Sequence, residues 1–397
     1  MSLRILHITH NTPGRNAAGG GLVFAWQNIM ALSQLGHEVH MAIAEPTGPV
    51  DADLNEVCES VTYGVPIPPR PWQVFERAVD RVFRPETIPF RLPNWKGVRQ
   101  QMLAAVERVQ PDVIWADWIG TLLHLPSAPP VVYGHLDFLH QLQHVRRDLH
   151  GGRLRRPDIV STPQLEQLEM ELVRSSAYVV SVSATDVPLI EALGVPCVYM
   201  PIVGQSIPRP AGPLPSRARA FLLGRSNTAM NMSRRNLRQD IWPKLGSRAS
   251  ELEWHQVGAP PGGKTSDWEW VEAHFKLHGF VENLDTVLRP SDLCLVPYRE
   301  HTGFRAKFVT ASGYGMVNIG YESTFGVAQE FVPNENCLAA VDDEHFAELL
   351  LDYASDPEMR RRLSEGSRAL YENEFSLEAQ YPLYESALSV ATGRTSA

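Results

Sequence analysis

Short apolar segments alternate with helical segments along this chain, which has 397 residues. The first of them, residues 3–9, is followed by a glycine-rich loop, a helical pattern over residues 22–35 and a second apolar run over residues 37–44. Gly36 occupies the position after the helix where glycine is favoured. Two strands joined through a helix run parallel, because the helix returns the chain to the edge where the first strand began. This segment therefore predicts a parallel sheet covered by helices.

The same alternation continues to about residue 200 and begins again after residue 217. In the first part, further strands are predicted over residues 112–116, 130–133, 178–182 and 196–200, with helices over 163–176 and 185–193. In the second part, strands are predicted over residues 218–223, 253–257, 293–296, 316–319 and 337–341, with helices over 235–245, 268–274, 307–314, 343–354 and 357–375. Residues 201–217 hold five prolines and two glycines and predict a linker. We expect two α/β domains with doubly wound parallel sheets, whose functional loops face an interdomain cleft.

The composition narrows the class of protein. Hydrophobic residues make up 44% and charged residues 20% of the chain, as in globular proteins. The formal net charge of -9 disfavours a nucleic-acid partner. The four cysteines lack metal-ligand spacing, so they predict buried free thiols in a reducing compartment.

The chain begins directly with a strand-like run and contains no stretch of about 18 apolar residues. We therefore expect a cytoplasmic protein without a signal peptide, for which peripheral contact with the inner face of a membrane stays open. Two basic stretches, residues 70–99 and 146–156, suit anionic lipid headgroups or a diphosphate-linked acceptor. An ordinary solvated surface is the competing interpretation of both.

Two glycines, Gly20 and Gly21, stand directly before the first helix. Glycine lets the backbone approach a phosphate, and the free N–H groups of a helix N-terminus attract an anion. The loop is therefore a candidate phosphate site, with a flexible surface turn as the alternative.

Two titratable residues, His135 and Asp137, follow a predicted inner strand. A carboxylate at a strand end can deprotonate a sugar hydroxyl, so Asp137 is the candidate general base and His135 a candidate contact to the donor sugar. Asp117, after the preceding strand, is a lesser candidate of the same kind. Capping of a helix that starts at Phe138 is the alternative role for Asp137.

The most specific pattern is a strand, then a loop containing Gly303 and Phe304, then a helix that starts with Arg305 and Lys307. The N-terminus of a helix is itself positive, so two cations there are electrostatically misplaced unless an anion binds. The pattern predicts a phosphate site, with a basic surface turn as the alternative. Arg225, which also follows a predicted strand, is a further candidate because arginine binds phosphate through two parallel hydrogen bonds.

Together these motifs resemble the GT-B glycosyltransferases, nearest to glycosyltransferase family four. Five motifs occur in the family's order, in residues 5–40, 178–184, 279–284, 291–297 and 302–315. The resemblance implies two Rossmann-like domains around a cleft. The acceptor domain is then residues 1–200 and the nucleotide-sugar domain residues 218–375, joined by the linker 201–217, and residues 376–397 form a helix that crosses back to the first domain.

The resemblance also implies a function and further site residues. The protein would be a glycosyltransferase of polysaccharide biosynthesis (EC 2.4 class) that uses a nucleotide diphosphate sugar as donor substrate and no separate cofactor. The acceptor would be a glycan, a lipid-linked saccharide or a small molecule. Phe280 lies in the loop suited to a nucleobase edge, and Glu322 is a candidate contact to the donor sugar. Thr310 occupies the position of the family's ribose-binding glutamate.

One departure from the family bears on the mechanism. Retaining members carry two glutamates at the positions of Thr302 and Thr310, which puts the ribose contact and the retaining mechanism in question. The Gly-x-Arg-x-Lys pattern is instead similar to a divergent subgroup with a lysine near the donor diphosphate, and Lys307 matches that lysine. Residues 133–139 resemble the strand end of xanthan-type glucuronosyltransferases, where Asp137 matches an aspartate base.

These matches favour an inverting transfer that needs no metal, because the protein itself supplies the cations, so no metal ligands are assigned. Three alternatives stay open: a retaining transferase of family-four type, a non-catalytic protein that binds a nucleotide or a glycan, and an epimerase that acts on a sugar nucleotide. The sequence does not identify the sugar, the acceptor or the oligomeric state.

Overall fold

The computed structural model describes most of the chain. The described residues are 2–14, 20–45, 52–64, 71, 75, 95–143, 162–203, 207–209, 215–224, 226–263, 265–299 and 303–394. Arg225, Thr302, the basic stretch 146–156 and most of the stretch 70–99 lie outside them. The chain divides into two compact units: the first is Met1–Val203, Thr302–Phe304 and Leu377–Ala397, and the second is Gly204–His301 and Arg305–Ser376.

The first unit is built on a seven-stranded parallel sheet with the strand order β3-β2-β1-β4-β5-β6-β7. Its strands are β1 (Arg4–Thr9), β2 (Glu38–Ile43), β3 (Ser60–Tyr63), β4 (Val113–Asp117), β5 (Val131–His135), β6 (Tyr178–Ser181) and β7 (Cys197–Tyr199). The helices that precede residue 200 are α1 (Gly20–Gln34), α2 (Ala52–Val57), α3 (Trp95–Val109), α4 (Ile119–Leu122), α5 (Thr162–Arg174) and α6 (Val187–Glu191).

The second unit is built on a six-stranded parallel sheet with the strand order β10-β9-β8-β11-β12-β13. Its strands are β8 (Arg219–Leu223), β9 (Glu253–Val257), β10 (Lys276–Gly279), β11 (Leu293–Val296), β12 (Val317–Tyr321) and β13 (Cys337–Ala340). Its helices are α7 (Thr228–Asn236), α8 (Trp242–Leu245), α9 (Ser266–His274), α10 (Ala306–Gly313), α11 (Glu322–Phe325), α12 (Asp343–Ser355) and α13 (Pro357–Glu374). The predicted pair of doubly wound parallel sheets is confirmed.

The burial of the inner strands explains why their apolar runs predicted them from the sequence. Every residue of β4, β5, β11 and β12 is buried. A parallel strand covered on both faces needs an unbroken apolar run, and such runs stand out in the sequence. The strands β3 and β10 were missed because they lie at sheet edges, where their residues are only partly buried or exposed and need no apolar run.

The segment predicted as a helix over residues 235–245 is helical, but it is not one regular α-helix. The chain instead forms α7, a π-helical turn over Leu237–Ile241, and then α8. Pro243 explains the break, because its ring displaces the carbonyl four residues earlier and it has no N–H to donate. The helix α7 begins earlier than predicted because Asn227 accepts a hydrogen bond from the N–H of Met230 at 2.8 Å and caps it.

The last helix, α14 (Leu377–Thr392), belongs to the first unit. Tyr384 on this helix is fully buried, and its hydroxyl donates to Asn28 Oδ1 at 2.7 Å. Its ring stacks on Trp115 of β4 with 5.3 Å between the ring centroids. Among the described helices, none combines the length and the apolar composition that crossing a membrane requires.

Candidate active site

In each sheet the strand order reverses at one place, between β1 and β4 in the first sheet and between β8 and β11 in the second. The loops that leave the two strands at such a place run in opposite directions. They leave a crevice at the carboxyl edge of the sheet, where doubly wound proteins bind their ligands. Functional side chains are therefore expected at these two edges.

Lys307 lies in the first turn of α10, which follows β11 at the carboxyl edge of the second sheet. The pKa of Lys307 is lowered to about 8, chiefly because burial disfavours its charge. The Cys294 thiol acts in the opposite direction, whereas the guanidinium groups of Arg305 and Arg234 lower the pKa further. A desolvated ammonium group among other cations is unfavourable unless an anion binds beside it.

Arg234 on α7 supplies a second cation, and its side chain is buried, whereas Lys307 is partly exposed. Its guanidinium donates to Ser226 Oγ at 2.6 Å and to Gln256 Oε1 at 3.3 Å, and it lies 5.0 Å from the ring centroid of Trp268. These partners are neutral, so they orient the guanidinium without cancelling its charge. Burial lowers the pKa of Arg234 to about 10, while Asp267 acts in the opposite direction.

Arg305 stands at the N-cap position of α10, whose first turn contains no acidic residue. Its guanidinium lies over the ring of Tyr298, 4.3 Å from the ring centroid, in a cation–π contact. The free N–H groups of the helix start add positive potential to that of Arg305 and Lys307. The arrangement matches the chemistry of a diphosphate.

The other residues of the second unit that were predicted to contact the donor substrate differ in their exposure to solvent. Thr310 lies three residues after Lys307 on α10, so the two side chains share one helix face. The Phe280 side chain after β10 is 81% exposed, and Glu322 at the start of α11 is exposed as well. The predicted contacts of these three residues with a donor stay predictions, and Arg225 is not among the described residues.

The glycine loop of the first unit leads into α1, which begins at Gly20. A Cβ atom at Gly21 would lie 2.8 Å from Cδ1 of Leu136, the residue after β5. Glycine at position 21 therefore lets the start of α1 approach the end of β5. This brings Gly21 next to Leu136, the residue between the two candidates His135 and Asp137.

His135 ends β5 and is fully buried. Its Nε2 lies 3.1 Å from Asp186 Oδ2, and its ring packs against Phe138 at 4.5 Å between centroids. Its Nδ1 has no hydrogen-bond partner among the residues that the structure describes. Asp186 thus fixes the orientation of the imidazole, and the predicted contact of His135 with a donor sugar stays a prediction.

Asp137 lies against the loop that contains Gly303, which groups with the first unit. A Cβ atom at Gly303 would stand 1.7 Å from Asp137 Oδ1, and the backbone there has a φ of 54°. Glycine is required at position 303 on both grounds. Glu169 caps the helix after Asp137, since its carboxylate accepts from the N–H groups of Leu139 at 2.6 Å and His140 at 2.9 Å. These two N–H groups therefore do not need Asp137.

A buried polar network around Asp117 was not expected from the sequence, which suggested this residue only as a lesser candidate base. Asp117 Oδ2 lies 2.9 Å from His7 Nε2, and Asp117 Oδ1 accepts from Asn28 Nδ2 at 3.0 Å. A Cβ atom at Gly134 would lie 2.0 Å from Asp117 Oδ1. In the sequence, this network is indicated only by polar residues at the ends of apolar strands. Which of these residues pair depends on the order of the strands in the sheet.

Comparison with known proteins can now be set beside this geometry. Residues 219–356 match the family model described as Glycosyl transferases group 1. Comparison with curated protein sequences gives no match. Among solved structures, the chain is similar to sucrose-phosphate synthase from Thermosynechococcus elongatus, with a TM-score of 0.66 and 15% identity over 96% of this chain and 98% of that chain.

Two further solved structures share the architecture. One is HepE from Anabaena in complex with UDP and glucose, with a TM-score of 0.66 and 12% identity over 98% of this chain and 99% of that chain. The other is a glycosyltransferase from Rickettsia africae, with a TM-score of 0.62 and 10% identity over 100% of both chains. At such identities the likeness establishes the fold.

The fold of the two units is that of the GT-B glycosyltransferases. The second unit also carries the segment that matches the family model Glycosyl transferases group 1, residues 219–356.

Proposed function

We propose that the protein transfers a glycosyl group from a nucleotide diphosphate sugar to a hydroxyl group of a glycan, a lipid-linked saccharide or a small molecule. The observation that carries the proposal is the group of cations at the start of α10. Burial lowers the pKa of Lys307 to about 8, and Arg305 and Arg234 act on it as neighbouring cations. Such a group suits the leaving diphosphate of a sugar nucleotide.

The diphosphate gains negative charge as its bond to the sugar breaks. We assign the stabilisation of that charge to Lys307, Arg305 and the N–H groups at the start of α10, since groups that are fixed before the reaction need no reorganisation as the charge develops. Because the protein supplies these cations, we propose that the transfer needs no metal ion. Addition of a chelator would then leave the rate unchanged.

Asp137 is the proposed general base of an inverting transfer. The acceptor oxygen would bond to the anomeric carbon on the face opposite the diphosphate, the acceptor proton would pass to the Asp137 carboxylate, and the diphosphate would leave with the electron pair. Glu169 supplies the cap of the following helix, which supports a chemical role for Asp137. The retaining alternative assigns no proton transfer to Asp137.

UDP-glucose is the first donor to test, because the similar HepE structure contains UDP and glucose. We place the reaction in the cytoplasm, within polysaccharide biosynthesis. A lipid-linked acceptor would bring the protein into peripheral contact with the inner face of the membrane.

The test combines donor screening with product stereochemistry. A thermal-shift screen against UDP, GDP, ADP and dTDP identifies the donor nucleotide, since a bound ligand raises apparent stability by mass action. The matching sugar nucleotides are then offered with candidate acceptors, and the anomeric configuration of the product is assigned from NMR coupling constants. Inversion supports the proposal, retention removes Asp137 from the role of base, and the absence of both transfer and donor hydrolysis would favour a binding protein.

A further inference from the structure

Trp118, directly after β4, has a backbone conformation that only a minority of non-glycine residues adopt. Its φ is 74° and its ψ is 127°. The residue is fixed from both sides: Asp117 before it is buried, and its carbonyl accepts from the backbone N–H of Thr121 at 3.0 Å and from the Thr121 hydroxyl at 2.8 Å. A strained backbone conformation is unfavourable in itself and concentrates at functional sites. The strain here serves to place the indole.

Two further contacts fix the indole of Trp118. The imidazole of His10 stacks on it with 4.0 Å between ring centroids and an angle of 11° between the planes. A Cβ atom at Gly120 would lie 2.1 Å from Cζ3 of the indole, so only glycine leaves room for the ring at that position. Both aromatic side chains are partly exposed. The indole is therefore held in one orientation, with His10 over one of its faces, and part of the residue is exposed.

His10 also connects the indole to a carboxylate. His10 Nε2 lies 3.0 Å from Glu45 Oε2, and the backbone N–H of Glu45 donates to the His10 carbonyl at 2.7 Å. The second carboxylate oxygen, Glu45 Oε1, is buried and has no hydrogen-bond partner among the described residues. A buried carboxylate oxygen without a donor is costly, which indicates a missing hydroxyl or N–H group.

The three side chains follow three adjacent strands of the first sheet. Glu45 follows β2, His10 follows β1 and Trp118 follows β4, so His10 and Trp118 flank the place where the strand order reverses. This is the crevice in which doubly wound sheets bind ligands. The position, the fixed ring and the unpaired carboxylate oxygen are independent observations that agree on a ligand site.

We propose that Trp118, His10 and Glu45 form a subsite for a sugar ring of the acceptor. The C–H groups on one face of a pyranose carry partial positive charge and pack on the negative face of an indole. The ring hydroxyls are donors for a carboxylate such as Glu45. The proposal rests on the transferase function proposed above and narrows it, because it makes the acceptor a saccharide or a saccharide-bearing lipid instead of a sugar-free small molecule.

Binding without turnover tests the subsite. The protein is labelled with 5-fluorotryptophan and titrated with the methyl glycosides of glucose, galactose, mannose, N-acetylglucosamine and glucuronic acid. The fluorine resonance of Trp118 is identified by its loss in Trp118→Leu. We expect at least one glycoside to shift this resonance in a saturable way. If none of the glycosides shifts it, the proposal is overturned.

Variants separate the subsite from general damage to the fold. Glu45→Gln removes the charge and keeps the shape of the side chain, whereas Gly120→Ala displaces the indole without removing it. We expect each of these, and Trp118→Leu, to weaken glycoside binding about three- to tenfold and to raise the acceptor KM by the same factor. Trp270→Leu, at a partly buried tryptophan of the second unit, is the matched control and should change neither quantity.

The failure of this proposal and that of the proposed function can be told apart. Saccharide binding that depends on Trp118, in a protein that transfers no sugar, would support the subsite and contradict the transferase. Transfer to an acceptor whose KM is the same in Trp118→Leu, Gly120→Ala and the natural sequence would support the transferase and contradict the subsite.

Discussion

The two units share a sheet topology but place opposite charges at the same edge. At the carboxyl edge of the first sheet, the described residues include the buried carboxyl groups of Asp117 and Asp186, each beside a histidine. At the corresponding edge of the second sheet, Lys307 and Arg234 are cations whose pKa values burial lowers. A fold thus supplies the position of a site, whereas the side chains decide its ligand. A carboxylate edge suits hydroxyl groups that lose or share protons, and a cationic edge suits a diphosphate.

The comparisons with known proteins also differ between the two units. The family model matches within the second unit, over residues 219–356, whereas the likeness of the first unit to known proteins rests on the fold. All nucleotide diphosphate sugars share one leaving group, the diphosphate, so donor chemistry recurs among the enzymes that use them. Acceptor chemistry differs among them, so the acceptor has to be inferred from the first unit, to which we assign acceptor binding.

The largest effect should come from the carboxylate of the first unit. Asp137→Asn removes the proposed base, and we expect kcat to fall about 10²- to 10⁴-fold, the usual contribution of a general base. The donor KM should change little, since the cations proposed to bind the diphosphate, Lys307, Arg305 and Arg234, lie in the second unit. Steady-state kinetics with the identified donor and acceptor measures both quantities.

Asp112→Asn is the matched control for this prediction. Asp112 lies just before β4, at the opposite edge of the first sheet, and pairs with Arg394 at the surface. It should retain nearly full activity. A residual kcat of Asp137→Asn within about fivefold of the natural sequence would exclude general base catalysis at this residue, given the expected size of that contribution.

The next effect in size should come from the cation of the second unit. Lys307→Met removes a charge-assisted contact to the diphosphate worth about 1.5–3 kcal/mol, so kcat/KM for the donor should fall about 10- to 100-fold. The thermal stability of the protein without donor should not fall, because the buried charge that burial disfavours is gone. Lys244→Met, at a residue paired with Glu344, serves as the control. Equal kinetics for both variants would contradict a diphosphate role for Lys307.

The smallest expected effect is the pH dependence of kcat/KM for the donor. Lys307 binds the diphosphate in its charged form, and its pKa of about 8 means that the free protein loses this charge as the pH rises through 8. The donor kcat/KM should therefore fall about five- to tenfold between roughly pH 7.5 and pH 9. Lys307→Met should show a flat profile over this range, which distinguishes Lys307 from other groups that titrate there.

The contribution of Lys307 to the stability of the folded protein should instead increase as the pH rises. In the unfolded chain the lysine keeps its proton up to a pKa of about 10.4, so between about pH 8 and pH 10.4 the unfolded state binds more protons than the folded state. The contribution of Lys307 to the free energy of unfolding therefore rises with pH in this window. Urea titrations of the natural protein and Lys307→Met at pH 7.5 and pH 9.5 measure that difference, and a constant difference would contradict the lowered pKa.

The sequence predicted those parts of the molecule that local patterns determine. Buried strands such as β4 and β11 were visible as apolar runs, and Lys307 was visible because a cation at a helix start conflicts with the helix dipole. The edge strands β3 and β10 gave no such run. The π-helical turn before Trp242 follows from Pro243 and could have been read from that residue.

Other features depend on contacts between distant segments, and the sequence did not predict them. The burial of Arg234 requires Gln256 and the ring of Trp268, and nothing near Arg234 in the sequence indicates either of them. The positive φ of Trp118 likewise depends on its tertiary surroundings, since a non-glycine residue adopts this conformation only where neighbouring contacts fix it. Site residues at the ends of strands can thus be suspected from the sequence, whereas their partners need the strand order.

The docking of Tyr384 has a consequence for how the protein is made. Asn28 receives the Tyr384 hydroxyl and in turn donates to Asp117, so this buried network is complete only when residue 384 is in place. A ribosome synthesises residues 1–203 well before residue 384, so the hydrogen bonds of this network in the first unit are completed only after Tyr384 has been made. Maturation of the first unit is thereby tied to synthesis of the second, and a nascent chain arrested after α13 would expose Trp115 and the network to cellular quality control.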